Sequence, residues 1–310
     1  MFSRHTIAIL QALLVTILWS TSWVLIKIGL NDIQIPAITF AGLRYGLAFI
    51  VLLIYGAYTH RLSDLKKLTR RDVVSLIVLG IVFYAITQGT QFLALVYLPS
   101  AMFSLTLNFS SIVVALIGIK LLGEYPTRVQ WIGMGIFAVG VLIFLHPIAF
   151  PAEIVLGLII GVTSMLSNSG SSILGRYINR GHHIQPFIVT LVSMGIGAGI
   201  LLIVGMTSEP TPTIPLAGWG IIGWLAIVNT ALAFTLWNVT LRTLSATESS
   251  IINNTMLIQI ALLAWIFLGE ALTFQEVIGL ACAAVGILIV QLPERISKYL
   301  TLKRTQSEAE

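Results

Sequence analysis

"LLGEYPTRVQWIGMGIFAVGVLIF", residues 121–144, returns 146 residues later as "FLGEALTFQEVIGLACAAVGILIV", residues 267–290. Eleven of the 22 positions from Leu122 to Ile143 are identical without a gap, among them Gly123, Glu124, Thr127, Gly133 and Gly140. Self-similarity at one fixed offset marks a duplicated unit. Upstream, the same offset pairs Ser104 with Ser250 and Asn108 with Asn254. The opening segments align more weakly, at an offset near 149. There "ILWSTSWVLIKIG" (17–29) meets "SNSGSSILGR" (167–176), with Ser22 opposite Ser171 and Lys27 opposite Arg176.

The 310 residues are 57% hydrophobic and only 9% charged. So little charge cannot cover a water-facing surface, so the expected solvent is the lipid bilayer. The net charge of +5 resides in short loops and the tail, so it gives no nucleic-acid signal. One cysteine, Cys282, excludes an intrachain disulfide. The opening "MFSRHTIAILQALL" starts like a signal peptide, but its apolar run continues to about Leu30 with no A-x-A site, so it is expected to be the first span.

A crossing helix needs about 20 apolar residues. Such segments lie near 7–30, 36–58, 73–97, 100–122, 127–146, 153–178, 186–206, 218–241, 246–269 and 273–291. The reading is an all-α integral membrane protein of ten transmembrane helices. Residues 1–146 form the first five-helix repeat, 153–291 the second, and 292–310 a basic tail. With a cytoplasmic N-terminus, the inside segments hold Arg4, the Arg61–Arg71 cluster, Arg128, Arg180, Arg242 and the tail; the outside segments hold no Lys or Arg. The positive-inside rule therefore puts both termini in the cytoplasm. Five helices per half is odd, so the second half enters the membrane from the opposite side: an inverted-topology repeat.

"TRVQ" (127–130) and "TFQE" (273–276) both fit a capping box, with Thr127 and Thr273 as N-caps. Glu124 and Glu270 sit just before, where the positive end of a helix favours an anion. A helix-start device is the expected role for these glutamates, ahead of a substrate contact.

The sequence resembles the drug/metabolite transporter superfamily, EamA type. The resemblance spans essentially the whole chain. It is carried by the "W-S-x-S-W" stretch ending in Lys27, by Arg44 within "FAGLRYG", and by the duplicated "LGE…T…IG…VG" segments. Where many members have "WG", this chain has Trp19-Ser20. The resemblance implies ten helices in two inverted halves around a central cavity, lined mainly by the first, third and fourth helices of each half. It also implies transport of small metabolites, often the export of amino acids.

Polar residues fall into helical stripes. The first helix carries Trp19, Ser22 and Trp23, with Lys27 following at i+4. The third carries Tyr84, Gln88 and Gln91, and the fourth Ser104, Asn108 and Ser111, a face repeated by Ser250 and Asn254 in the ninth. The sixth, within "TSMLSNSGSS" (163–172), carries Ser164, Asn168 and Ser171; the eighth puts Trp237 at the position matching Gln91. Neutral amides and hydroxyls mixed with indoles suit a small amphipathic ligand. The competing role is helix–helix hydrogen bonding alone. Gly42–Gly46 and Gly157–Gly161 match GxxxG and are expected to pack helices. Lys27, near the outer end of its helix, either snorkels to the interface or meets a carboxylate there. Arg44, deeper, needs helix carbonyls or amides, since no acid lies mid-span.

All 12 Asp and Glu, and all five His, are peripheral, so a midplane proton relay is unsupported. No HExxH, DDxxD, GxSxG or Walker A pattern occurs. The expected function is a secondary transporter, an exporter of small metabolites such as amino acids, with the tryptophans suggesting aromatic ones. Alternatives are a carrier of sugars or nucleotide-sugars and, from another class, an integral membrane enzyme. No cofactor and no metal are expected, and no partner beyond substrate and lipid. The protein is expected in a prokaryotic plasma or inner membrane as a monomer or weak homo-oligomer.

Overall fold

The computed structural model describes residues 4–122, 127–147, 150–180, 184–240, 243–244 and 252–290. Glu124, Ser250, the side chain of Arg176 and the 292–310 tail lie outside them. Among the described residues every regular element is helical. In the first half, α1 (Arg4–Asn31), α2 (Ala37–Tyr58), α3 (Arg70–Leu79), α4 (Gly89–Tyr97), α5 (Ser100–Leu122) and α6 (Arg128–Leu145) follow in order. In the second, α7 (Ala152–Arg180), α8 (Pro186–Ser208), α9 (Leu216–Ala226), α10 (Ala233–Thr240), α11 (Met256–Leu268) and α12 (Phe274–Val290) follow. A π-helical segment, Gly80–Gln88, joins α3 to α4, and a second, Ile227–Leu232, joins α9 to α10.

Six described spans are long and apolar enough to cross a membrane: Arg4–Asn31, Ala37–Tyr58, Arg70–Tyr97, Arg128–Leu145, Ala152–Gly175 and Pro186–Ser208. Shorter apolar helices occupy Ser100–Val114, Leu216–Leu232, Ile252–Leu268 and Phe274–Val290. Ile17, Ile54, Val139, Ile159, Ile203 and Trp265 are exposed around the bundle, an apolar outside that suits hydrocarbon and not water. The main core, with Phe40, Phe92, Leu95 and Phe103 fully buried, joins α1, α2, α4 and α5.

Helix starts follow from local chemistry. Thr127 and Gln130 form the capping box of α6, with both reciprocal bonds present. Thr273 and Glu276 do the same for α12, through Thr273 N to Glu276 Oε2 at 2.7 Å. By contrast α2 follows Pro36, which offers no side-chain cap. Its free N–H groups are taken by Glu209, which accepts from Ile38 N at 2.9 Å and Thr39 N at 2.7 Å. The start of α5, after Pro99, is completed by Glu270 in the same way, with Ser100 N at 2.7 Å and Ser100 Oγ at 3.1 Å. Glu270 therefore does serve a helix start, but in the other half of the chain and not in the helix that follows it. Glu124, its repeat partner, is outside the described residues.

The duplicated glycines meet each other. Gly133 lies against Gly286 and Val290, and Gly140 against Gly279 and Ala283. The numbering rises along α6 as it falls along α12, so the two helices cross antiparallel. Backbones approach this closely only where no Cβ intervenes. Gly42 likewise faces the Leu202 backbone of α8, and Gly157 faces Leu98 and Tyr97, so both GxxxG pairs pack helices.

A methyl group at Gly140 would stand 2.5 Å from Ala283 N and 2.7 Å from Gly279 O. Both are backbone atoms that cannot swing away. Gly140→Ala should therefore cost about 1–3 kcal/mol and lower the thermal midpoint of detergent-purified protein. Gly135→Ala, where a Cβ meets nothing within 4 Å, should leave the midpoint unchanged or slightly raised.

Candidate functional site

Helix α1 is lodged against α10 and α11 of the second half, and α7 against α4 and α5 of the first. The two helices exchange places, and polar side chains fasten each one. Ser20 Oγ donates to Gln259 Oε1 of α11 at 3.0 Å, and Gln259 Nε2 donates back to Thr16 Oγ1 at 3.2 Å. On the other side, Ser169 Oγ of α7 reaches the Ser110 carbonyl of α5 at 3.4 Å. Ser20 and Ser169 stand at the spacing that pairs Ser22 with Ser171, so one duplicated position bridges to the fourth span of the opposite half in both cases.

The π-helical segments lie beside these contacts. In each, a threonine hydroxyl bonds the carbonyl five residues back: Thr87 Oγ1 to Val82 O and Thr230 Oγ1 to Leu225 O, both at 2.8 Å. A π turn widens the helix and frees backbone groups, and such segments recur at functional sites. Ser164 of α7 takes up one freed group, donating to Thr87 O at 3.0 Å. Asn229, in the second π segment, donates its amide to the Leu18 carbonyl, to Thr21 Oγ1 at 3.2 Å and to Ser22 Oγ at 2.9 Å. Its own Oδ1 is buried without a partner, as is Trp19 Nε1.

The residues picked from sequence divide clearly. Trp19 and Trp237 come together, with ring centroids 5.2 Å apart and Phe234 at the same distance from Trp19. Ser22 lies between α1 and Asn229, and Trp23 packs on Phe103. Tyr84 is edge-on to Tyr45, whose hydroxyl donates to Gln88 Oε1 at 2.6 Å. Gln91 is partly buried on the following turn. Asn108 Nδ2 bonds only its own helix, at Ser104 O, and Ser111 is partly buried further along α5. Ser171 bonds back to Asn168 O within α7. Asn254 is buried, at 8% exposure.

The two cations have definite surroundings. Arg44 is 5% exposed. Its Nε donates to Thr230 Oγ1 at 3.3 Å, and its guanidinium lies over the Tyr45 and Phe92 rings at 5.1 and 6.0 Å. A hydroxyl and two rings thus replace the carbonyls or amides expected from sequence. Lys27 does not snorkel. It is 8% exposed, with Nζ 3.7 Å from Glu270 Oε1. The pair sits in a half-open cavity of about 420 Å³ at the end of the bundle where α1 stops.

Sequence reasoning missed Asn229, Thr230 and Gln259. At the repeat offset Asn229 and Gln259 face Phe83 and Val113, so a search for polar residues matched between halves passes over them; Thr230 does face a polar residue, Tyr84, and was overlooked all the same. Their signal was a buried amide or hydroxyl inside an otherwise apolar span.

Three comparisons bear on this geometry. The sequence profile of the EamA-like transporter family matches the chain twice, at residues 6–146 and 155–292. The uncharacterized transporter YyaM of Bacillus subtilis (strain 168) is 27% identical over 280 residues, covering 86% of this chain and 88% of that one. The uncharacterized transporter YvbV of the same organism is 26% identical over 315 residues, covering 98% and 97%. A protein crystal structure aligns with a TM-score of 0.67 at 19% identity, over 91% of this chain and 96% of that one, a likeness of fold.

Interhelical hydrogen bonds in membranes are worth about 0.6 kcal/mol on average and up to about 1.7. Asn229 holds three acceptors on α1, so Asn229→Ala should lower the thermal midpoint measurably, by about 1–2 kcal/mol of stability. Asn108→Ala, which removes only a bond within α5, should stay within about 0.5 kcal/mol of the parent.

Proposed function

The chain belongs to the EamA-like transporter family, and on that premise we propose that it is a ten-span secondary transporter that exports small metabolites, amino acids first among them, by alternating access. One observation carries this reading. The first helix of each half is held inside the opposite half by side-chain hydrogen bonds, Ser20–Gln259 and Ser169–Ser110. Two units that exchange an element this way share a seam, and rocking along a seam exposes a site to one side and then the other. The antiparallel crossing of the duplicated glycines in α6 and α12 supports an inverted relation between the halves. With the Lys- and Arg-rich segments inside, both termini are cytoplasmic and the Lys27–Glu270 end opens outward.

The polar stripes supply the seam's chemistry. Ser22, Asn229, Thr230 and Arg44 form one wall, Tyr84, Gln88 and Ser164 another, and Trp19 with Trp237 a ring-faced third. Asn108, with its amide turned back on its own helix, is free to exchange that bond for a ligand. Such a lining fits a molecule with a charged or amide end and an apolar body.

Purified protein in liposomes preloaded with unlabelled amino acids should give saturable counterflow of labelled ones. Linear, unsaturable flux would remove the carrier reading. Counterflow confined to sugar phosphates or nucleotide-sugars would remove the amino-acid reading. Asn108→Ala should reduce the flux several-fold at unchanged expression and unchanged thermal midpoint.

A further inference from the structure

The cavity at the mouth of the bundle is a chemically specific place. Its floor is the Lys27–Glu270 pair. At 3.7 Å the two charges attract, but they stand beyond hydrogen-bond distance. Glu270 is committed elsewhere: both its oxygens accept from Ser100, one from the backbone N–H and one from the hydroxyl. Lys27 brings three N–H donors into this cavity while being 92% buried by its stem (8% exposed). An ammonium that opens on the cavity and is held only by a loose ion pair is poised to take a better acceptor. Exchanging one carboxylate for another keeps the ammonium beside a negative charge throughout.

The remaining lining limits what that acceptor is. Asp32 stands in the cavity wall beside Lys27 and Glu270, so acids outnumber the cation. A doubly charged phosphate would be repelled by that balance. A zwitterion is matched: its carboxylate meets Lys27 and its ammonium meets Asp32. Tyr97, Leu98 and Phe267 supply the apolar remainder.

We propose that this cavity is a binding station for α-amino acid zwitterions, in which Lys27 takes the ligand carboxylate while Glu270 stays on the start of α5. The proposal rests on the transporter reading above and deepens it. It has a mechanical consequence. Lys27 is on α1 and Glu270 follows α11, so the pair ties the two halves at the mouth. Occupancy turns Lys27 away from Glu270 and loosens that tie while leaving the α5 cap in place. The ligand that arrives or departs is then itself the agent that frees the mouth.

The test uses full-length protein in nanodiscs, with Cys282→Ala and Asn31→Cys; Asn31 is an exposed wall residue of the cavity. The rate of maleimide labelling at this thiol is measured with a pool of standard L-amino acids, with the matching carboxamides, and with inorganic phosphate. The amino-acid pool should slow labelling several-fold, and the carboxamides and phosphate should not. Lys27→Met should abolish the protection and Lys27→Arg should keep it. Glu270→Gln, which keeps an acceptor for the α5 cap but removes the competing charge, should bring half-protection at about ten-fold lower concentration. Equal protection by carboxamides, stronger protection by phosphate, or undiminished protection in Lys27→Met would each overturn the proposal, as would no protection at all. Counterflow of the same variant reconstituted in liposomes separates the two readings: protection without counterflow sinks the transporter, and counterflow without protection sinks only this station.

Discussion

Glu270 stands where three parts of the chain meet. It ends the turn after α11, closes the start of α5 and faces the ammonium of α1. The reason lies in the solvent. In hydrocarbon, water cannot satisfy the first N–H groups of a helix, so the protein must. Proline before α2 and α5 sets the chain direction but provides no side-chain cap. The glutamates come from the other half: Glu209 serves α2, and Glu270 serves α5. Two helix starts of the first half are therefore finished by loops of the second. The carboxylates are favoured there by the helix dipole as well as by direct bonds. Lys27 then becomes possible at the mouth, because an acid already fixed for another purpose lies beside it.

Packing and polarity divide the labour between two interfaces. The α6–α12 contact is built of duplicated glycines facing backbone, with little room for side chains. Such a contact brings the two backbones together and leaves no space for a side chain at these positions. The contacts of α1 with α11, and of α7 with α5, include hydrogen bonds from serine, threonine and amide side chains, beside the aromatic packing of Trp19 on α10. Individually weak bonds of this kind can be exchanged one for another at small cost.

Much of this was legible in the sequence, and what was not has a physical reason. The apolar segments mark the helices because lipid demands length and an uncharged surface. Thr127 and Thr273 were readable as N-caps because a capping box is local, complete within four residues. Gly133 and Gly140 were legible as repeated positions, and the structure adds that they pack against Gly286 and Gly279; the packing role of Gly42 and Gly157 was readable from GxxxG. Glu270 was read as serving the helix that follows it, since sequence proximity suggests nothing else; its real partner, Ser100, is 170 positions away. Asn229 and Gln259 were missed because each has an apolar residue at the matching place in the first half. A search built on symmetry finds what the halves share and overlooks what sets them apart. For Lys27 the sequence left open snorkelling or a carboxylate contact, and the fold selects the carboxylate and identifies it as Glu270.

The asymmetry carries the chemistry further than the symmetry does. Both third spans contain a π segment with a threonine bonded five residues back. In the first half the carbonyl of Thr87 accepts from Ser164 of α7 and from Thr90 of its own helix, both neutral hydroxyls. In the second half Thr230 also receives the Nε of Arg44, and the neighbouring Asn229 leaves Oδ1 unbonded close to α1. The same backbone device thus serves packing on one side and holds a cation on the other. Because Thr230 spends its own proton on Leu225 O, its oxygen is fixed as an acceptor, and Arg44 is held without any acid. A guanidinium balanced by one hydroxyl and two aromatic faces keeps most of its donors for another partner. The positive charge of Arg44 is therefore oriented by neutral groups alone among the described residues: one hydroxyl and two aromatic faces.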